Sequence, residues 1–337
     1  MRNIYDLTIK ELEDYFISIN EKKFRAVQVY EALYKRRIKS FDDMTNISKE
    51  VREKLKQDFS FYKIKMLIKQ QGKNVNKYLF ELEDGNKIES VLMFHDYGTS
   101  ICVSSQVGCN MTCAFCESGR LKKVRNLLAY EIVQQILQIE EDINKRITHV
   151  VLMGIGEPFD NYDNVLRFVK IINCGKGIDI GSRHITISTC GVIPGIKKFM
   201  NEEGQVNLAI SLHASNNALR SRIMPINKAY PLNELMETIK EYINKTNRRV
   251  TFEYIMLDNV NDSEENAKEL AILLKGINCY VNLIPYNETE NIEFKRTKEW
   301  KIMKFYDILK KNKINVTIRK EFGGSVDAAC GQLRANN

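Results

Sequence analysis

From about residue 99 onward, strand-like and helix-like segments alternate, and no other feature of this 337-residue chain constrains its fold more. Short strand-like runs fall near residues 101–104, 149–153, 184–189, 206–211, 249–256 and 280–284. Helical apolar spacing occupies 129–141, 161–172, 232–244, 263–274 and 299–311, and a last strand-like run covers 315–319. Strands that alternate with helices make a parallel sheet covered by helices, because a parallel crossover needs a dozen or more residues. Six such units, rather than eight, predict an α/β fold of the open or partial barrel type. Its chemistry should gather at the carboxyl ends of the strands.

Upstream the pattern changes. The spacings Leu7, Leu12, Tyr15, Phe16 and Val27, Val29, Tyr30, Leu33, Tyr34 predict helices. The second helix carries Arg25, Lys35, Arg36, Arg37 and Lys39, which form either a solvated face or an RNA-docking face. Residues 61–96 alternate apolar and polar around Asp84-Gly85, a hairpin signal. The expected organisation is a helical accessory, RNA-docking unit over 1–60, a bridging β section over 61–96 and a partial barrel over 97–337. Lys and Arg (51) exceed Asp and Glu (43), a formal charge of +8 that favours a polyanionic partner such as nucleic acid. No apolar run could span a bilayer, and the first residues lack a secretory h-region, so the expected location is cytoplasmic, with no membrane partner. Eight cysteines are too few for a disulfide scaffold in a chain this long.

Three of those cysteines cluster. Cys109, Cys113 and Cys116 follow the first barrel strand with C-x3-C-x2-C spacing. Three thiolates on a short loop can each hold one iron of a four-iron, four-sulfur cube and leave the fourth iron open to a small chelating molecule. An electron-carrying cluster would want a fourth nearby Cys, and a zinc site would want paired C-x-x-C motifs or histidines at ligand spacing. The four histidines, His95, His149, His184 and His213, have no such spacing to this loop. Phe115, next to the last ligand, can shield a cluster from water. The second barrel strand ends in Gly154-Ile155-Gly156-Glu157-Pro158, where glycine lets backbone approach a ligand.

C-x3-C-x-aromatic-C after the first strand of a six-unit barrel resembles the radical S-adenosylmethionine (SAM) superfamily. The resemblance implies that the open iron binds the methionine part of SAM and that an electron from the [4Fe-4S] cluster cleaves it to a 5′-deoxyadenosyl radical. By the same resemblance Gly156, Glu157, Ser188, Ser211, Leu212, His213 and Asn287 match SAM-contacting positions. Each alone reads as a cap or turn, but they recur at successive strand ends.

Further motifs narrow the likeness. Ser-Ser-Gln-Val-Gly-Cys (104–109), Gly-x-Gly-Glu-Pro (154–158), Ser-Leu-His (211–213), Met-Pro-Ile-Asn (224–227), Asn-Leu-Ile-Pro (282–285) and Ala-Ala-Cys-Gly-Gln-Leu (328–333) occur in order. Together they resemble the dual-specificity adenine-C2 RNA methyltransferases (RlmN) and the related adenine-C8 methyltransferases (Cfr), over nearly the whole chain. An aromatic C2 or C8 is not a nucleophile, so direct methyl transfer from SAM would fail. The resemblance implies two SAM per turnover. One methylates Cys330, and the second is cleaved to the radical that activates the S-methyl group. The resulting carbon radical adds to the adenine, Cys102 helps remove the ring proton, and a transient Cys102–Cys330 disulfide releases the product. Glu89 matches the proton acceptor, although it could equally be an exposed strand carboxylate. Cys174, Cys190 and Cys279 read as buried, inert thiols.

The implied substrate is an adenine of 23S ribosomal RNA at the peptidyl-transferase centre, with transfer RNA beside the anticodon as a further one. A one-electron donor such as flavodoxin or ferredoxin and a monomeric state go with the likeness. Pro158 and Val107 look like the C2 group and Gly119 like the C8 group; the balance favours C2. The alternative, C8, would make the chain an antibiotic-resistance enzyme. Lys122 stands where both groups usually have glycine, and Phe322-Gly323-Gly324-Ser325-Val326 is typical of neither. A non-catalytic iron–sulfur RNA-binding protein would have no use for Cys330, and a radical SAM enzyme acting on a small molecule would not need the basic helical start.

Overall fold

The computed structural model describes residues 1–319 and 332–335. The chain starts with strand β1 (Arg2–Asn3) and helices α1 (Ile9–Ser18), α2 (Arg25–Tyr34) and α3 (Lys49–Asp58), and β2 (Phe59–Ser60) returns to pair in parallel with β1. Thr8 caps α1 in a reciprocal box with Glu11, and Ser48 caps α3. Leu12, Phe16, Val29 and Leu33 are buried, and Tyr34 meets Tyr5 and Tyr30 edge to face at 5.7 and 4.6 Å.

The basic residues around α2 are mostly engaged with protein. Arg37 reaches Glu140, Arg36 donates to Asn46, Lys35 pairs with Glu31, and Arg25 bonds Gln28. Arg37 and Arg167 anchor the helical start to the barrel, the latter through Glu11.

Among the described residues a ten-stranded sheet is the centre of the rest. Strands β3 (Lys65–Gln71), β4 (Val75–Glu81), β5 (Lys87–His95) and β6 (Gly98–Cys102) are antiparallel neighbours, with the β4–β5 turn at Asp84-Gly85 as the sequence predicts. A small ladder, β7 (Gln106–Val107) with β8 (Arg125–Asn126), brackets the cysteine loop and short helix α4 (Glu117–Arg120). From β6 the sheet continues in parallel through β9 (His149–Leu152), β10 (Ile185–Thr189), β11 (Asn207–Ser211), β12 (Val250–Met256), β13 (Cys279–Pro285) and β14 (Asn315–Ile318). The 61–96 section thus joins the barrel sheet as an antiparallel extension.

Helices α5 (Ala129–Ile143), α6 (Tyr162–Asn173), α9 (Leu232–Thr246), α10 (Glu264–Leu273) and α11 (Glu299–Lys311) fall where periodicity predicts. Helices α7 (Ile193–Phe199) and α8 (Asn217–Ile223) are too short for that signal, and α12 (Gln332–Ala335) packs near the end of the chain on α4 and β5. Strand β6 ends earlier than the predicted 101–104 because the Gln135 side chain takes both backbone groups of Ser104, accepting at 2.8 Å and donating at 3.0 Å. Among the described residues no helix is long and apolar enough to cross a membrane.

Burial would raise the Glu11 carboxyl, but hydrogen bonds from Arg167, Thr8 and Arg2 outweigh it and hold the pKa at about 2. A carboxyl depressed in the folded state stabilises above its unfolded pKa of about 4.3, and the gain disappears as pH falls through the folded value. Glu11→Gln should therefore lower stability at pH 7, by about 1 kcal/mol or less after screening of this partly exposed group. In urea titrations the gap from the parent protein should close between about pH 5 and about pH 2.

Candidate functional site

Glycine geometry shapes the mouth of the barrel. Gly108 has φ +81°, and a Cβ there would lie 2.1 Å from the Lys122 carbonyl oxygen. The backbone can therefore double back, and the Cys109 N–H bonds the Leu121 carbonyl at 3.0 Å to close the cysteine loop. Gly156 has φ +110°, and a Cβ there would strike the Gln106 side chain at 2.6 Å. Gln106 accepts from the Glu157 N–H at 2.8 Å and donates to Asn126 and Asp160, tying the loops after β6, β8 and β9 together.

These loops enclose a cavity of about 310 Å³ at the carboxyl ends of the parallel strands. Of the residues singled out in the sequence, Cys102, Cys109, Cys113, Cys116, Gly156, Glu157, Ser188, Ser211, His213 and Asn287 line it. Leu212 does not: its side chain is sealed in the core, its N–H donates to the Glu253 carbonyl, and its carbonyl accepts from Arg220. Its two neighbours face the cavity because alternation at the strand end sends the leucine the other way. Cys330 lies outside the described residues.

Glu89 is not an exposed strand carboxylate; it is 2% exposed. It shares a face of β5 with Val91 and Met93, which line the cavity, and Val91 is paired with Cys102 on β6. Its carboxylate meets the equally buried Lys77 ammonium at 3.4 Å and accepts from the Arg334 N–H of α12 at 3.3 Å.

Burial governs the electrostatics. It pushes the Cys109 thiol up to about 12 and the Cys113 thiol well up, and the neighbouring cysteines add to both shifts. Such thiols ionise when a cationic centre binds them. Among the described residues no three His, Cys, Asp or Glu side chains converge on one point, as a single tetrahedral ion would require. Cys109, Cys113 and Cys116 lie on one loop and face one cavity, an arrangement that suits a cube, which presents a different iron to each thiolate. Burial also raises the Glu157 carboxyl, against hydrogen bonds from the Cys190 and Phe159 N–H groups at 2.8 and 3.0 Å. His213 is driven down to about 3 by burial, with the Arg220 charge adding. Its Nδ1 accepts from the Ile255 N–H at 3.1 Å, and its ring meets Phe115 edge-on at 4.9 Å.

Sequence reasoning missed several cavity or near-cavity groups, the buried Glu117, Ser118 and Tyr286 among them. Glu253, on β12, is buried, lines the cavity and accepts from Asn282 at 2.8 Å; a charge inside the apolar run 250–257 was a legible signal. Arg319 lines the cavity, Lys77 backs Glu89, and Arg220 is buried on α8, whose Ile223 packs with the cysteine loop, none with any distinguishing local pattern. Cys190 is buried as expected, yet it too lines the cavity.

Comparison with known proteins gives matches along the whole chain. The family model for the ribosomal RNA large subunit methyltransferase N-terminal domain matches residues 2–60, and that for the radical SAM superfamily matches 103–271. A curated Spiroplasma citri protein, described as "Probable dual-specificity RNA methyltransferase RlmN", is 53% identical over 100% of this chain and 98% of its own length. An Enterococcus faecalis protein of the same description is 54% identical over 99% and 96%. A crystal structure of a radical SAM methyltransferase from Sphaerobacter thermophilus superposes with a TM-score of 0.93 at 40% identity, covering 98% of this chain and 99% of that one.

A methyl group at Gly108 has no room, because the atom it meets is backbone. Gly108→Ala should unfold as cooperatively as the parent protein yet bind under a tenth of its iron after anaerobic reconstitution, measured as iron per chain.

Proposed function

The chain belongs to the RlmN family of radical SAM RNA methyltransferases, and on that premise we propose that it methylates C2 of an adenine in 23S ribosomal RNA through a methyl-cysteine intermediate. Transfer RNA is a second substrate in this reading. The observation that carries it is the cysteine loop and Cys102 facing one cavity at the carboxyl ends of the parallel strands.

Cys109, Cys113 and Cys116 hold three irons of a [4Fe-4S] cluster, which when bound supplies the electron that cleaves SAM. Gly156, Glu157, Ser188, Ser211, His213 and Asn287 receive SAM, and Leu212 keeps the two residues beside it in register. Two SAM molecules are used per turnover. Cys330 carries the methyl group to the ring. Glu89, held between Lys77 and the backbone of α12, accepts the proton that leaves the ring carbon. Cys102 attacks the sulfur of Cys330 as the bond from that sulfur to the transferred carbon breaks; the carbon keeps the electron pair and takes a proton to become methyl, the odd electron of the adduct would return to the oxidised cluster, and a disulfide is left as the RNA leaves. Its place on the cavity wall, on the strand paired with that of Glu89, supports this role. The helical start docks RNA. By likeness to the two groups, Pro158 and Val107 favour C2 over C8 and Gly119 favours C8, and this reading takes C2.

Anaerobically reconstituted protein with SAM, a reductant and a 23S fragment should yield 2-methyladenosine by mass spectrometry of the digested RNA. 8-Methyladenosine would move the chain to the C8 group and to antibiotic resistance, and neither product with SAM cleavage intact would overturn the RNA substrate. Cys330→Ala should abolish product, at least 1000-fold. Cys102→Ala should leave RNA joined to protein, visible as a shifted band on a denaturing gel.

A further inference from the structure

Arg220, on α8, is fully buried. Its guanidinium donates to neutral oxygens: the carbonyls of Leu212 (3.3 Å), Ser211 (3.4 Å) and Cys190 (2.6 Å), and Asn227 Oδ1 (3.0 Å). Among the described residues no carboxylate pairs with it. Buried charges in folded proteins are paired, because carbonyl dipoles alone do not replace the hydration of an ion. Arginine cannot escape the cost by losing its proton. Among the described residues, then, no anionic side chain offsets the Arg220 charge.

The structure indicates where an offsetting anion belongs. Helix α8 clamps the cysteine loop: the Ala114 N–H bonds the Ile223 carbonyl at 2.9 Å, and Met111, Cys113 and Phe115 pack on Ile223 and Met224. The guanidinium bonds the Cys190 carbonyl, and Cys190 belongs to the same buried cluster as Cys113, Phe115, Ile223 and Met224.

We propose that Arg220 is the fixed counter-charge of the iron–sulfur cluster and sets how readily the cluster accepts its electron. The inference rests on the reading that Cys109, Cys113 and Cys116 hold that cluster. An oxidised four-iron core with three thiolates is a net monoanion, and its one-electron-reduced form is a dianion. A fixed positive charge nearby stabilises the dianion more, so it raises the reduction potential. Net charge and hydrogen bonding around the sulfurs are established levers on such potentials. Because the guanidinium is bonded to the ends of β10 and β11 and to Asn227, it cannot swing away when the electron arrives. The field is preorganised, as it must be to act without a reorganisation cost.

The test is an electron-paramagnetic-resonance redox titration of reconstituted wild-type, Arg220→Gln and Arg220→Lys proteins, with iron counted in each. Arg220→Gln should shift the reduction equilibrium about tenfold toward the oxidised cluster, a midpoint about 59 mV more negative for one electron. Arg220→Lys, which keeps the charge, should stay near the wild-type midpoint. A wild-type midpoint in Arg220→Gln, or an equal shift in both variants, overturns the proposal. If Arg220→Gln takes up no iron, Arg220→Lys decides: a loaded cluster at the wild-type midpoint supports the charge, and a shifted midpoint or no loading makes Arg220 a packing element only. Cys113→Ala separates this outcome from failure of the underlying reading, since full iron content in that variant would mean that the cluster is held elsewhere.

Discussion

Strand β6 pairs antiparallel with β5 on one side and parallel with β9 on the other, and the site depends on that junction. The antiparallel partner brings Glu89, Val91 and Met93 to the face that Cys102 occupies. The parallel partner starts the barrel, whose strand ends carry the polar residues of the cavity. A one-residue slip on either side would turn Cys102 into the opposite layer, because side chains alternate with period two. Gln135 reinforces the junction by taking both backbone groups of Ser104 and the Ser90 hydroxyl, so the chain leaves the sheet at one defined residue.

Around the junction, buried polar groups are satisfied across loops rather than within them. Glu157 accepts from the backbone after β10, Gln106 from the backbone of Glu157, and His213 from the backbone of β12. Each such bond costs little when made and much when left unmade in a dry site. The strand-end loops therefore hold one another, and the cavity wall is set largely by backbone contacts. Asn261 adds to this by donating to the carbonyls of His213 and Ile255.

The sheet and the long helices were legible because periodicity over ten or more residues survives tertiary packing. Short α7 and α8 gave no such signal, although Asn216 caps α8 through the Leu219 N–H. The strand-end motifs were legible because glycine, cysteine and serine there have few other reasons to recur. What the sequence hid was pairing. Lys77 lies in an ordinary-looking strand, and only the fold puts its ammonium against Glu89. The basic face of α2 read as a solvated or an RNA-docking face, and its pairings with acidic or amide neighbours, one of them on α5, did not show in the sequence. Pairing depends on partners up to a hundred residues away, which local reading cannot supply.

The departure at Lys122 follows the same logic. The family's usual glycine there suggests a demand on backbone shape, but Lys122 does not adopt positive φ, and its side chain is exposed. What the loop takes from this position is the carbonyl oxygen that fills the space a Cβ on Gly108 would need. A backbone atom is supplied by any residue, so the lysine leaves the loop closure untouched and adds a positive charge at its rim. The indispensable glycine is Gly108, where positive φ and the absent Cβ are both required. Loop closure thus constrains one side of the contact strictly and leaves the other open to substitution.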